Sequence, residues 1–238
     1  MPANTPQGAT VGHGTGPQPP IRLLLLNPNT SQQATALMLA VARRAAPPGV
    51  GVAGCNLPDG EALITEPDGL ARAALGVADH APTLLRGGCD GLIVAGFGDP
   101  GLAPLQRVFG QAVTGLGEAG IRAAAEGGRR YAIVTVTPQL HDSLVQAAHL
   151  HAPPQLLAGV RYTRGRPQDL VTSPQALADA LLEACEAAVR LDGAESIVIG
   201  GGPLAAAADS LSAQLSVRVV NPVSAAVHLA CARLGATV

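Results

Sequence analysis

Two short stretches of this chain follow the same plan: GCDGLIVAGFGDPG at residues 88–101 and GAESIVIGGGPL at residues 193–204. Each is an uninterrupted apolar run followed by glycines and a loop. Such a run is typical of a strand buried on both faces of a parallel sheet. Because the plan occurs twice, the sequence predicts two related halves, each with a strand that ends in a glycine turn, and one site between them.

The rest of the chain alternates strand and helix in the same way. From Ile21 onward, short apolar runs alternate with alanine-rich stretches of helical length, which indicates βα units around parallel sheets. A weak internal repeat aligns residues 23–30 with residues 133–140. We therefore expect an α/β protein with two pseudo-symmetric βαβ, Rossmann-like lobes, mainly parallel sheets and a cleft between the lobes.

The repeat also predicts how the chain is divided. Residues 21–120 together with residues 222–238 are expected to form the first α/β lobe, and residues 121–221 the second. Residues 1–20 are rich in Pro, Gly, Thr and Gln and lack both a basic start and an apolar core, so we expect a disordered tail rather than a signal peptide. Within the lobes, the pattern predicts a short strand over residues 160–163 and a helix that begins near Glu118.

The composition excludes several classes of function. A net charge of −2, two Phe, two Tyr and no Trp provide neither the basic surplus nor the stacking platforms of a nucleic-acid-binding surface. All fifteen cationic side chains are arginines, so no lysine is present to form a Schiff base with pyridoxal phosphate. No cofactor is expected.

Cysteine usage and hydropathy favour a cytoplasmic location. The four cysteines lie far apart and form neither a C-x-x-C motif nor a Cys/His cluster, so no disulfide framework and no metal site are expected. No apolar run approaches the roughly 18 residues of a membrane span. The expected partner is a small-molecule substrate, with neither nucleic acid nor a membrane as a partner.

Four loops are predicted to meet at the ligand-binding edge of the sheets: residues 27–31, 96–101, 135–139 and 200–204. In open α/β sheets, ligands lie beyond the carboxyl ends of the strands, where N–H groups bind negatively charged atoms. Glycines allow those amides to approach a ligand oxygen, although a tight turn with positive φ explains the same glycines equally well. The candidate substrate-binding residues are Asn27, Thr30, Gly96, Phe97, Gly98, Thr135, Thr137, Gly200, Gly201 and Gly202.

Several of these residues belong to motifs of a known family. NPNTS at residues 27–31, FGDPGL at 97–102, EA at 118–119 and VSAAV at 223–227 together resemble the aspartate/glutamate racemase superfamily, and within it the hydantoin and allantoin racemase branch. The resemblance implies a cofactor-independent 1,1-proton transfer and a homo-oligomer. It also implies two catalytic cysteines on opposite faces of the substrate, and at those positions this chain has Gly96 and Gly201.

Because neither glycine titrates, another loop could instead supply a catalytic base. The candidate catalytic residues are Glu66, which follows the second predicted strand, His141 at the start of a helix, and Asp99 after the first glycine turn. An apolar cleft raises the pKa of a carboxylate towards neutrality and makes it a better base, so Glu66 is the first choice. Each candidate also has a structural interpretation, respectively a helix start, an exposed helical position and a cap. Cys55 is more simply explained as packing.

Three functions remain open. The first is an isomerase that epimerises C5 of a hydantoin or thiohydantoin ring, where the neighbouring carbonyl acidifies the proton and stabilises an enolate. The second is a decarboxylase or cis/trans isomerase of the same superfamily that acts through the same intermediate. The third is a small-molecule-binding homologue without catalysis, with amide donors in its cleft and no group that reaches the substrate carbon.

Overall fold

The computed structural model describes residues 21–236, which contain two four-stranded parallel sheets. The predicted disordered tail, residues 1–20, lies outside the described residues. The first sheet has the order β2-β1-β3-β4 and is formed by β1 (Ile21–Asn27), β2 (Val50–Asn56), β3 (Gly91–Val94) and β4 (Val113–Gly115). The second has the order β6-β5-β7-β8 and is formed by β5 (Tyr131–Thr135), β6 (Leu157–Tyr162), β7 (Ser196–Ile199) and β8 (Arg218–Val220). The shared strand order confirms the prediction of an α/β fold with two pseudo-symmetric lobes.

Helices connect the strands within each lobe. The helices of the described residues are α1 (Gln32–Ala45), α2 (Pro67–Arg86), α3 (Leu102–Phe109), α4 (Leu116–Ala125), α5 (His141–His151), α6 (Pro167–Leu170), α7 (Pro174–Asp192), α8 (Ala208–Ser212) and α9 (Pro222–Arg233). None of these helices is long and apolar enough to cross a membrane.

Local sequence explains where the helices next to the cleft begin. The Ser31 hydroxyl accepts a hydrogen bond from the N–H of Ala34 at the start of α1, at 3.2 Å. Asn221 caps α9 in the same way, and Pro222 follows it at the first helical position, where a missing N–H costs nothing. The helix predicted to begin near Glu118 begins earlier, at Leu116, because the Glu118 carboxylate reaches back to the N–H of Gly115, at 3.3 Å.

Burial explains how well each strand was predicted. Strands β3, β5 and β7 are buried along their whole length, as their continuous apolar runs require. The strand expected over residues 160–163 instead covers Leu157–Tyr162, and all of its residues are half-buried. It is an edge strand that pairs with β5 alone, so its apolar pattern is weak.

One hydrophobic core spans the two lobes. Its buried residues include Leu25 and Ile93 of the first sheet and Tyr131, Ile133 and Val198 of the second. Helix α4 packs against α9, and α9 returns to contact β3 and β4 of the first sheet. This shared core fixes the two sheets relative to each other, and the loops at their carboxyl ends meet at a cleft.

Candidate functional site

The two glycine turns face one cavity. The first glycine turn (residues 95–101) follows β3, and the second glycine turn (residues 200–204) follows β7. Seven of the predicted ligand-binding residues line this cavity, namely Gly96, Phe97, Thr135, Thr137, Gly200, Gly201 and Gly202. The cavity offers about 70 Å³ of space, which would hold about five water molecules and suits one small ring rather than an extended chain.

The cavity is neutral. Among residues 21–236, its lining contains no Asp, Glu, His, Cys, Lys or Arg side chain. Much of its wall is apolar and comes from Leu63 and Ile64 in the loop after β2, Leu70 of α2, Leu140 and Val171. A free carboxylate or ammonium group would be desolvated there without a countercharge, so the lining favours an uncharged ligand.

An asparagine pair shapes the loop after β1. The structure places Asn29, rather than the predicted Asn27, in the cavity lining. The buried Asn27 Nδ2 donates to Asn29 Oδ1 at 2.8 Å and to Thr35 Oγ1 at 2.9 Å, and the Ser31 N–H also donates to Asn29 Oδ1. These bonds fix the orientation of the Asn29 amide through its oxygen. Its Nδ2 group has no acceptor among the described residues and is therefore a fixed donor at the cavity wall. Asn27 positions Asn29, and Thr30 lies outside the lining.

Two threonines at the end of β5 provide an acceptor. The hydroxyl of Thr135 donates to the carbonyl oxygen of Gly200, at 2.6 Å. Its only proton is then used, so in the 3.3 Å contact between the two hydroxyls the Thr137 hydroxyl is the donor. The remaining lone pairs of Thr137 Oγ1 are acceptors for a ligand N–H group.

Backbone amides complete the polar lining. Several lining residues have N–H groups without an acceptor in the described part of the chain, and these include Gly96, Phe97, Thr137 and Gly202. Unpaired amides at the carboxyl ends of strands stabilise negative charge on a ligand oxygen. Gly98 lies outside the lining and has a φ of 123°, which glycine adopts readily.

Neighbouring side chains occupy the space that larger residues would need in both turns. A Cβ at Gly96 would lie 2.7 Å from Cγ of Pro28, and a Cβ at Gly201 would lie 2.9 Å from Cγ and Cδ1 of Leu204. At Gly202, a Cβ would collide with the sulfur of Met38. A side chain at any of these three positions would therefore displace its neighbours.

The structure does not bring the three candidate bases into this lining. Glu66 is exposed at the start of α2 and makes no capping hydrogen bond through its side chain, because the apolar residues of the preceding loop turn inward instead. His141 is exposed, and its Nδ1 lies 2.6 Å from the Tyr162 hydroxyl. The side chain of Asp99 is only 6% exposed, but its carboxylate is directed to α4, where it accepts hydrogen bonds from the N–H groups of Gly117 and Glu118.

Asp99 also has a partner that the sequence analysis missed. Its Oδ2 lies 3.3 Å from Nε2 of His151 at the end of α5, and both side chains are 6% exposed. Burial raises the pKa of Asp99 above its ordinary value, while the contacts with His151 and with the two α4 amides oppose that rise. No local motif joins two residues of different lobes, so only the fold reveals this pair.

The cysteines do not contribute a thiol to the cavity. Burial is the main cause of the raised pKa of Cys55. Cys185 lies buried in α7, and Cys231 lies buried in α9. A raised pKa keeps a thiol protonated and weakens it as a nucleophile or base.

Comparison with known proteins agrees with this architecture. Residues 23–230 match the model of a family described as Asp/Glu/hydantoin racemase. The hydantoin racemase of Paenarthrobacter aurescens is 28% identical over 211 residues, which cover 88% of this chain and 89% of that protein. The structure of allantoin racemase from Klebsiella pneumoniae superposes with a TM-score of 0.82 at 30% identity, covering 91% of this chain and 89% of that one. The structure of allantoin racemase from Pseudomonas fluorescens superposes with a TM-score of 0.84 at 29% identity, covering 91% of this chain and 93% of that one.

Proposed function

Because the chain belongs to the Asp/Glu/hydantoin racemase family, we propose that it is a cofactor-independent racemase that binds an uncharged hydantoin-type ring between the two glycine turns. The proposed reaction exchanges the proton at C5 of the ring through an enolate. The observation that carries this proposal is the cavity itself, where amides of both turns lie around a space the size of one ring. No charged side chain of residues 21–236 lines that space.

The lining groups match the functional groups of such a ring. A hydantoin or thiohydantoin ring presents carbonyl or thiocarbonyl acceptors and N–H donors in one plane. Asn29 Nδ2 and the free amides of the turns are suited to the acceptors, and Thr137 Oγ1 is suited to a ring N–H. The absence of an arginine from the described lining disfavours a free amino acid, whose carboxylate would need a charged partner.

The proposed chemistry needs no thiol. The C5–H bond breaks, its electron pair moves towards the adjacent carbonyl to form an enolate, and a water molecule accepts the proton. Return of a proton from water to the opposite face gives the other enantiomer. Each hydrogen-bond donor aimed at a developing oxyanion contributes about 10²-fold or more, so two amides would accelerate exchange by about 10⁴-fold.

The test is deuterium exchange. Enantiopure 5-substituted hydantoins and thiohydantoins are incubated with the protein in D2O, with deuterium at C5 followed by NMR and enantiomeric excess by polarimetry. We expect exchange together with racemisation. Removal of the Thr137 acceptor in Thr137→Val should weaken ring binding by about fivefold, the effect of about 1 kcal/mol from one neutral hydrogen bond. Thr83→Val, at an exposed position near the far end of α2, is the matched control and should behave as the parent protein.

A second candidate function has its own supporting observation. The described cavity lining has no ionisable side chain, which is the expected mark of a ligand-binding homologue without turnover. In that case the rings bind saturably while C5 retains its proton at the rate of the protein-free solution, and the racemase proposal fails. Loss of CO2 from malonates, or a change in double-bond geometry in an unsaturated acid, would instead favour the decarboxylase or cis/trans isomerase alternative.

A further inference from the structure

Asp99 has a left-handed backbone conformation. Its φ is 50°, and it is the one non-glycine residue with positive φ in the part of the chain that the structure describes. This left-handed conformation is uncommon for residues with a Cβ, although aspartate adopts it more readily than most. The Asp99 N–H donates to the carbonyl of Gly96 at 3.0 Å, so the conformation of Asp99 is part of the first glycine turn.

Three contacts hold the Asp99 side chain. Its two oxygens accept hydrogen bonds from the N–H groups of Gly117 and Glu118, at 2.8 and 2.6 Å, at the start of α4. The third contact is His151, whose Nε2 lies 3.3 Å from Oδ2. His151 belongs to the last turn of α5, where the helix dipole favours a positive charge, and α5 packs on the second lobe.

We infer that His151 is a positioning residue, which through its ion pair with Asp99 holds the first glycine turn in the shape that presents the amides of Gly96 and Phe97 to the cavity. The inference rests on the proposed function, because it assigns a purpose to those amides. The inference links ligand binding to the contact between Asp99 of the first lobe and His151 of the second. Neither of these residues touches the ligand.

The surroundings of the pair are largely neutral or already paired. A groove next to the pair is lined by neutral residues of α2, α3 and α5, among them Leu70, Leu102, Gln106, Gln146 and Leu150. On α4, the carboxylate of Glu118 is paired with Arg233 and Arg122. His149, two residues before His151, is exposed.

The coupling has a defined direction with pH. An ion pair between a carboxylate and an imidazole exists only while the imidazole is protonated, so the contribution of such a pair is lost as pH rises. Ligand affinity should therefore fall at alkaline pH. A structural role alone would lower stability in a His151 variant without giving ligand binding this pH dependence.

The test has one arm without ligand and one with it. In ¹⁵N-labelled protein, the amide resonances of Gly96 and Phe97 are followed from about pH 5.5 to about pH 9, together with the ring of His151, a range that brackets ordinary imidazole titration. We expect the two amides to shift with the midpoint of the His151 ring. In the second arm, calorimetry gives the Kd of a 5-substituted hydantoin at both ends of the range, and we expect about a tenfold loss of affinity at the alkaline end.

Two variants complete the design. His151→Gln should remove both pH responses, whereas His149→Gln on the same helix should keep them.

The inference is overturned if the Gly96 and Phe97 resonances are insensitive to the His151 titration, or if His151→Gln retains the pH dependence of binding. If His151→Gln does not fold, the titration of the unmodified protein still decides. Failure of the hydantoin to bind at any pH refutes the proposed function instead, and the ligand-free arm separates the two results.

Discussion

Replacing Arg233 with methionine tests the contact that joins α4 to α9 beneath the cleft. The Glu118 carboxylate is 2% exposed and receives two hydrogen bonds from Arg233, from Nη1 at 3.0 Å and from Nη2 at 2.5 Å. The other hydrogen-bond donors to this carboxylate are the amide of Gln106 at 3.0 Å and the N–H of Gly115 at 3.3 Å, and both are neutral. Removal of one partner of a buried ion pair costs about 3–5 kcal/mol, so Arg233→Met should lower the free energy of unfolding by that amount at neutral pH.

The chain offers a matched control for this prediction. Arg122 contacts the same carboxylate oxygen at 3.3 Å, but its side chain is 53% exposed, so Arg122→Met should cost less than about 1 kcal/mol. Urea unfolding followed by circular dichroism measures both variants. If Arg122→Met proves as damaging as Arg233→Met, solvent exposure does not decide the strength of these pairs, and the reasoning fails.

The same pair predicts a pH dependence. Burial alone would favour the neutral form of Glu118, but Arg233, together with the N–H of Gly115 and Arg122, outweighs it and holds the pKa of this carboxyl below its ordinary value. A lowered pKa in the folded state gives stability that is present above the unfolded value and is lost as pH falls through the folded value. The gap in stability between the unmodified protein and Arg233→Met should therefore close in acid. A gap that is constant down to about pH 3, below the ordinary range of glutamate, would contradict this assignment.

Three further outcomes are expected. Asn27→Ala removes the donor that holds the side-chain oxygen of Asn29. This variant should bind the ring at least about tenfold more weakly, as measured by calorimetry, and should lose about 1–3 kcal/mol of stability, as measured by urea unfolding. Gly202→Ala forces a methyl group against Met38 and should destabilise the protein by about 1–3 kcal/mol, and an unchanged melting temperature would refute the packing argument. Burial raises the pKa of Cys185 to about 12, so mass spectrometry after iodoacetamide treatment near pH 8 should find this thiol unmodified in the folded protein and alkylated in urea.

The fold could be predicted because its signals are local. A buried parallel strand that ends in glycine can be recognised within about ten residues, and the internal repeat then specified two lobes. The edge strand Leu157–Tyr162 was placed less well, since a half-buried strand with one neighbour has a weak apolar pattern. The family motifs likewise identified the racemase family, which the match over residues 23–230 confirms.

The site was only partly predictable, because which side chain enters a cavity depends on contacts between distant segments. Asn27 and Asn29 are equivalent by composition, and only the contact with Thr35 shows which of them is held back from the cavity. The loop that carries Glu66 turns Ile64 inward instead of the carboxylate. Apolar residues in that polar loop were an available signal, since an exposed loop has little reason to contain them. The pair of Asp99 with His151 has no such signal.

The glycines at residues 96 and 201 are best understood together with the residues that fill the space beside them. Their replacement by a larger residue would press on Pro28 and Leu204, so each glycine and its neighbour form one packing unit at the cavity wall. A site that had merely lost two side chains would leave two gaps, whereas here the space beside both turns is occupied. The remaining polar lining groups are neutral donors and acceptors that are themselves hydrogen-bonded into fixed directions, as at Asn29 and Thr137. In the proposed reaction, such a wall would stabilise developing charge on a ring oxygen through prearranged dipoles, with water as the proton acceptor.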